Sequence, residues 1–305
     1  MTCVCGYEFV LDKQLDEGLT DGRFLAAVSR VSRHDTAYFT DDQLYTALCR
    51  LVFPRTAVRN AIVSASGRGG IEATMLRVGE AVGAILVSSF AALFSLASLA
   101  QRLVQRPPDY GRLPEWIERM RAAGHRLDRL IDKPSLDTPP PDWSEPDIYD
   151  YGVERLLVVE RPILVDLLVR NGFHSETRTL IVSEEGYPSH IMKRIPKLIE
   201  ERPDLPVFLL HDATPDGLWM SRRMSKSPLW SSIAPNAVDL GVFPDDLKKL
   251  RRRSSRGNPE GWGLLIDTLN PTVLAGVLGT ALTTGDVLAD VIASKMTSED
   301  GFGYG

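Results

Sequence analysis

The chain is poor in the residues that build metal centres and covalent cross-links. It holds only Cys3, Cys5 and Cys49 in 305 residues. That is too few for a disulfide framework, so a reducing compartment, the cytoplasm, is expected. The Cys3-x-Cys5 pair is half of a four-ligand zinc site, and only Cys49 and His34 stand near enough to add to it, so zinc is not expected. The five histidines show no metal-type spacing. Gly67, Arg68, Gly69 and Gly70 lack the Gly-Lys-Ser/Thr that completes a phosphate loop, and no Gly-x-Ser-x-Gly elbow occurs. Nucleotide hydrolysis within this chain is therefore not expected. A net charge of −5 and a pI near 5.6 exclude a uniformly basic coat, though not a local basic patch. The first residues lack a basic stretch followed by an apolar core, so no secretory signal is expected.

What is present suffices for a core: 44% of residues are hydrophobic and 25% charged, which excludes wholesale disorder. The prolines at 134, 139, 140, 141 and 146 mark an extended linker. The expected organisation is a helical domain over 1–132, the linker over 133–149, an α/β domain over 150–258, and a helical extension with a tail over 259–305. Within the first part, residues 22–60 read as helical, and Asp41 and Asp42 suit a helix N-terminus. Residues 81–100 form a 20-residue run without a charge, just long enough to span a hydrocarbon core, with Arg102 and Arg106 beyond it. Its serines and alanines favour a helix buried in a core or an oligomer interface over a membrane span; both readings stay open.

The second part alternates regularly. RLLVVE (155–160), RTLIVS (178–183) and PVFLLH (206–211) read as buried strands. RPILVDLLVRN (161–171) and PSHIMKRIPKLIEER (188–202) read as helices, with Pro196 kinking or ending the second, and another helix is expected from about Pro215. This order predicts a parallel sheet covered on both faces. Glu160 and Asp212 then end two strands at the edge where open α/β sheets bind ligands. Two carboxylates there suit one Mg²⁺, a hard ion that takes oxygen ligands and can stabilise charge on a phosphodiester.

Four ordered blocks carry a resemblance. VVERPILVDLLVRNGF, LIVSEEGYPSHIMKRI, LPVFLLHDATPDG and DLGVFPDDL together resemble the Toprim domain found in the A subunit of the type IIB topoisomerase (topoisomerase VI) and in its meiotic double-strand-break relatives. Glu160 stands at the family's strand-end glutamate, and Gly186, Tyr187 and Pro188 at its Gly-Tyr-Pro turn. Asp212, Pro215 and Gly217 match its Asp-x-Asp-Pro-x-Gly turn, and Leu240, Gly241 and Asp246 its last segment. The resemblance implies a Toprim-like parallel sheet, Mg²⁺ at Glu160 and Asp212, DNA as partner, and work in a homo- or hetero-oligomer with other subunits, an ATPase among them. Two departures matter. Thr214 stands where the family has its second aspartate, and Ser189 where an acid often follows the turn. Asp216 is the nearest substitute for the lost carboxylate. The family's nucleophile lies in a helix resembling Arg-x-x-Tyr-Tyr. FTDDQLYTAL aligns Asp42 with the arginine, Tyr45 with the first tyrosine and Thr46 with the nucleophile, which leaves Tyr45 as candidate attacker and Tyr38 as a further alternative.

Lys248, Lys249, Arg251, Arg252, Arg253 and Arg256 form the densest charge run, a candidate phosphate contact whose affinity would fall steeply with salt. Three functions follow as expectations. The first is Mg²⁺-dependent DNA cleavage or a topoisomerase-like role, with reduced or partner-dependent activity. The second is a non-catalytic role in DNA binding or structure within an assembly. The third is a membrane-attached effector anchored by 81–100.

Overall fold

A computed structural model describes residues 9–52, 108–131, 133–134, 152–243, 266 and 269–295. The apolar run at 81–100, the basic run at 248–256, Asp246, Cys3, Cys5 and most of the proline-rich stretch lie outside these. The chain divides into two compact units, one formed by 1–27 with 45–125 and the other by 28–44 with 126–305.

In the first unit, Leu11, Leu19, Phe24, Leu48, Trp116 and Met120 are buried. A buried carboxylate, Asp16, organises it. It accepts hydrogen bonds from Trp116 Nε1 (3.1 Å), Arg119 Nη1 (2.8 Å) and Arg112 Nη2 (3.1 Å). Burial pushes this carboxyl up, but the bonds and charge from Arg119, with Trp116 and the Asp12 amide, outweigh it and hold the group below its ordinary value.

The second unit carries the sheet. The strands are β1 (Arg155–Val159), β2 (Thr179–Ser183), β3 (Val207–Leu210) and β4 (Val238–Asp239), all parallel, in the order β2-β1-β3-β4. Their composition explains this. Val, Leu, Ile and Phe fill them, and β1 to β3 are buried on both faces, as strands of a doubly covered parallel sheet must be. Alternate residues feed two cores. Leu157, Val159, Ile181, Phe208 and Leu210 pack on one face with Pro162–Arg170 and the helices Pro271–Thr284 and Leu288–Lys295. Leu156, Val158, Leu180, Val182, Val207 and Leu209 pack on the other with Ile191, Ile195, Met220, Met224 and Trp230.

The expected α/β sheet is thus present, with strand ends trimmed by a residue or two. The helix expected over 188–202 is two pieces, Ser189–Met192 and Ile195–Glu201. Pro196 is the reason: it falls in the first turn of the second piece, where its missing N–H costs nothing. Among the described residues no single helix is long and apolar enough to cross a membrane. Pro271–Thr284 and Leu288–Lys295 pass that test only as a pair bent by 117°, and their apolar residues form part of the sheet's core.

Leu164, fully buried between helix and sheet, gauges this packing. Leu164→Ala is expected to cost about 3 kcal/mol of unfolding free energy, read by urea denaturation.

Candidate functional site at the sheet edge

The chain leaves β1 towards β2 on one side, and β3 lies on β1's other side. This reversal opens a crevice at the C-terminal ends of β1 and β3, and the residues that follow them are Glu160 and His211–Asp212. The two carboxylate residues, 52 positions apart, meet there: the Asp212 amide donates to Glu160 Oε2 at 2.8 Å.

The Asp212 side chain is 1% exposed. Both its oxygens are engaged. Oδ2 accepts from Arg161 Nε at 2.7 Å, and Oδ1 from the Ile266 amide at 2.6 Å. Arg161 reaches further, placing Nη1 3.6 Å from Asp42 Oδ2. Its backbone is extended and Pro162 starts the following helix, so the guanidinium leaves the chain at the strand tip itself.

Thr214 has a local task. Its hydroxyl caps the short helix Pro215–Leu218 by accepting from the Gly217 amide at 3.0 Å, and it lies 3.5 Å from Glu160 Oε1. A carboxylate at that distance would repel Glu160 unless a cation intervened. Asp216, two residues on, is exposed, and its carbonyl accepts from Arg223 Nη1 at 2.6 Å. Arg223 also grips both oxygens of Glu184 at 2.8 and 2.6 Å, and Trp230 Nε1 donates to the Glu184 carbonyl at 2.8 Å.

The motif glycines mark close approaches. A Cβ on Gly217 would overlap the Asp212 carbonyl oxygen and crowd Glu160 Oε2, and one on Gly241 would overlap the His211 ring. His211 is buried beneath the edge. Its Nδ1 lies 2.9 Å from the Asp212 carbonyl oxygen and its Nε2 3.2 Å from Asp239 Oδ1. Both neighbours accept, an arrangement that favours the doubly protonated ring. Burial opposes that charge, but the Asp239 hydrogen bond, the Asp212 carbonyl and the charges of Asp239 and Glu160 together raise His211 above its ordinary value. Tyr187 of the Gly-Tyr-Pro turn is anchored from below, its hydroxyl donating to the buried Asp166 at 2.8 Å.

The donor set does not suit a resident Mg²⁺ as it stands. The oxygens are hard enough, but Asp212 spends both on N–H donors, one of them cationic, and Glu160 spends one on the Asp212 amide. Among the described residues no group of three acidic, histidine or cysteine side chains gathers in metal-binding array. Tyr45 belongs to the other unit. Its hydroxyl donates to the Pro108 carbonyl at 2.7 Å, its ring meets Tyr110 edge-on, and burial, with Cys49 next, pushes its phenol up. Arg161 and Asp239 are site residues that sequence reasoning misses. Arg161 carried one signal, its place directly after a strand-end acid.

The family model for the Toprim domain of the topoisomerase 6 A subunit/Spo11 matches residues 155–261. That stretch is a Toprim domain. The A subunit of type 2 DNA topoisomerase 6 from Sulfurisphaera tokodaii is 33% identical over 107 residues, which are 33% of this chain and 28% of the relative. Its counterpart from Hyperthermus butylicus is 33% identical over 115 residues, 36% of this chain and 29% of the relative. The Meiotic recombination protein SPO11-1 of Arabidopsis thaliana is 31% identical over 146 residues, 45% of this chain and 39% of the relative. The match therefore spans less than half the length of each of these relatives. No solved structure matches. Toprim domains as a class bind Mg²⁺, which makes the cationic partner of Asp212 in this one notable.

Two outcomes follow from the edge. A raised His211 stabilises the fold fully below about pH 6.5, and that contribution fades as pH rises through the folded-state value. Melting temperature measured against pH should fall on this alkaline side, and less steeply in His211→Gln. Gly217→Ala should cost at least about 2 kcal/mol, read by denaturant unfolding, since backbone and Glu160 must both move.

Proposed function

We propose that this chain is a DNA-associated Toprim protein of the topoisomerase VI A/Spo11 kind that works within a larger assembly, with cleavage by the chain alone reduced or dependent on a partner. The observation that carries this reading is the pairing of Asp212 with Arg161. In a metal-dependent edge the aspartate offsets the charge of a divalent ion. Here a guanidinium offsets the aspartate instead, and Ile266 takes its second oxygen. Thr214 fits the same scheme, because an edge without a resident cation has no use for another carboxylate beside Glu160. In this reading the edge acts as architecture. Arg161 ties the tips of β1 and β3 to Asp42, while Arg223 and Trp230 hold the Glu184 loop in place. DNA and other subunits, an ATPase among them, are the proposed partners, and the basic run at 248–256 is the proposed backbone contact.

A second reading is favoured by Glu160 Oε1, whose hydrogen-bond partner, Thr214, is at the long distance of 3.5 Å. When bound alongside a DNA phosphate, Mg²⁺ would supply charge stabilisation for cleavage, with Glu160 as its protein ligand. Glu160 would then hold the ion and Arg161 would have to release Asp212.

Removing Arg161 tests the choice. Arg161→Ala leaves a buried carboxylate without its cation and should cost about 3 kcal/mol, part of which added Mg²⁺ restores in a thermal-melt assay. The unaltered chain should show no comparable Mg²⁺ shift, and EDTA should leave its DNA binding unchanged. Mg²⁺-dependent nicking of supercoiled DNA by the unaltered chain, abolished in Glu160→Ala, would instead establish the second reading.

A further inference from the structure

Two arginines share one tyrosine ring at a place that the Toprim edge does not use. The guanidinium of Arg129 lies 4.6 Å from the Tyr38 ring centroid and that of Arg170 lies 5.4 Å from it. Two cations held against one ring add their positive potentials, and the ring's π-face offsets only part of that. No carboxylate of the described residues pairs with either within salt-bridge distance. Of the acids nearby, Asp166 offsets part of the Arg170 charge through space. Asp35 accepts from the Ser32 hydroxyl at 3.5 Å, Asp128 pairs with Arg126 at 2.7 Å, and Asp166, one turn before Arg170, holds the Tyr187 hydroxyl. Arg170 Nε is buried and has no hydrogen-bond acceptor. A buried cationic donor without an acceptor is costly.

Hydrogen bonds hold Tyr38 and Arg129 in place. Tyr38 is clamped by Asn171 through both backbone groups, its amide donating to Oδ1 at 2.9 Å and its carbonyl accepting from Nδ2 at 3.0 Å. Arg129 donates from Nε to the Asp35 carbonyl at 3.0 Å, which leaves the outer nitrogens of its guanidinium to other acceptors. The backbone beside each residue joins in a short parallel bridge, Phe39 N to Arg129 O at 3.0 Å and Ile131 N to Phe39 O at 2.9 Å.

We infer that Arg129, Arg170 and Tyr38 form a binding site for a phosphate-type oxyanion. Planar guanidiniums bind tetrahedral oxyanions through paired N–H donors, and an anion at their outer nitrogens would offset the two charges. The phosphate belongs either to a nucleic-acid backbone or to a small phosphorylated compound. The site shares no residue with the Glu160–Asp212 edge, so it stands or falls separately from the proposed function.

The test uses the full chain beside Arg129→Gln, Arg170→Gln and Arg170→Lys, the last keeping the charge should the neutral variant fail to fold. Inorganic phosphate, compared with chloride at equal ionic strength, should raise the melting temperature of the unaltered chain, less in Arg170→Lys, and not in either glutamine variant. Duplex DNA binding, read by fluorescence anisotropy, should weaken about tenfold in each glutamine variant if the backbone is the source. Its salt dependence should then fall by about one counter-ion. Loss of the phosphate effect with DNA binding untouched assigns the site to a small phosphorylated compound. A chain that binds no DNA would sink the DNA reading while the phosphate arm still decides this one. Folded variants that respond to phosphate and DNA like the unaltered chain would overturn the site. So would binding of polyglutamate, lost in the variants, with no response to phosphate, since that outcome points to an acidic protein surface.

Discussion

The contact between Arg161 and Asp212 sets the terms for the rest of the sheet edge. A carboxylate as buried as Asp212 cannot keep its charge without a cation or several donors, because moving it out of water costs several kcal/mol. Arg161 and the Ile266 amide meet that need together. The same aspartate sends its amide to Glu160 and its carbonyl to His211. One residue thus links the tips of β1 and β3, Ile266 and the buried histidine. His211 extends the chain of contacts to Asp239 on β4.

Charge accounts for much of the residue choice around it. Thr214 supplies a cap without adding a third negative group, Gly217 leaves room for Glu160 and the Asp212 carbonyl, and Gly241 leaves room for the His211 ring. Tyr187 and Asp166 brace the neighbouring loop from the core side. The Toprim pattern therefore persists here in its glycines, its turn and its two leading acids, while the charge partner inside it is a side chain.

The sheet was legible in the sequence because its signal is local. RLLVV, TLIVS and VFLL are short apolar runs bounded by turn residues, and only a strand covered on both faces accommodates such runs at that spacing. The break in the 188–202 segment was legible too, since Pro196 forbids a continuous helix. Glu160 and Asp212 were legible as strand-end acids. Arg161 was not, because a cation next to an acid in sequence normally points into solvent, and nothing in its spacing reveals a partner 51 residues on. The placing of Arg129 and Arg170 against Tyr38 was hidden for the same reason, each residue coming from a different part of the chain.

The amino-acid order alone determined three of the four strands and that two acids sit at strand tips. Those properties follow from apolar periodicity, proline and glycine, which act within a few residues. The tertiary structure alone decided what those acids face. Electrostatic partners are chosen by proximity in space, and burial then fixes whether a charge is solvated or paired.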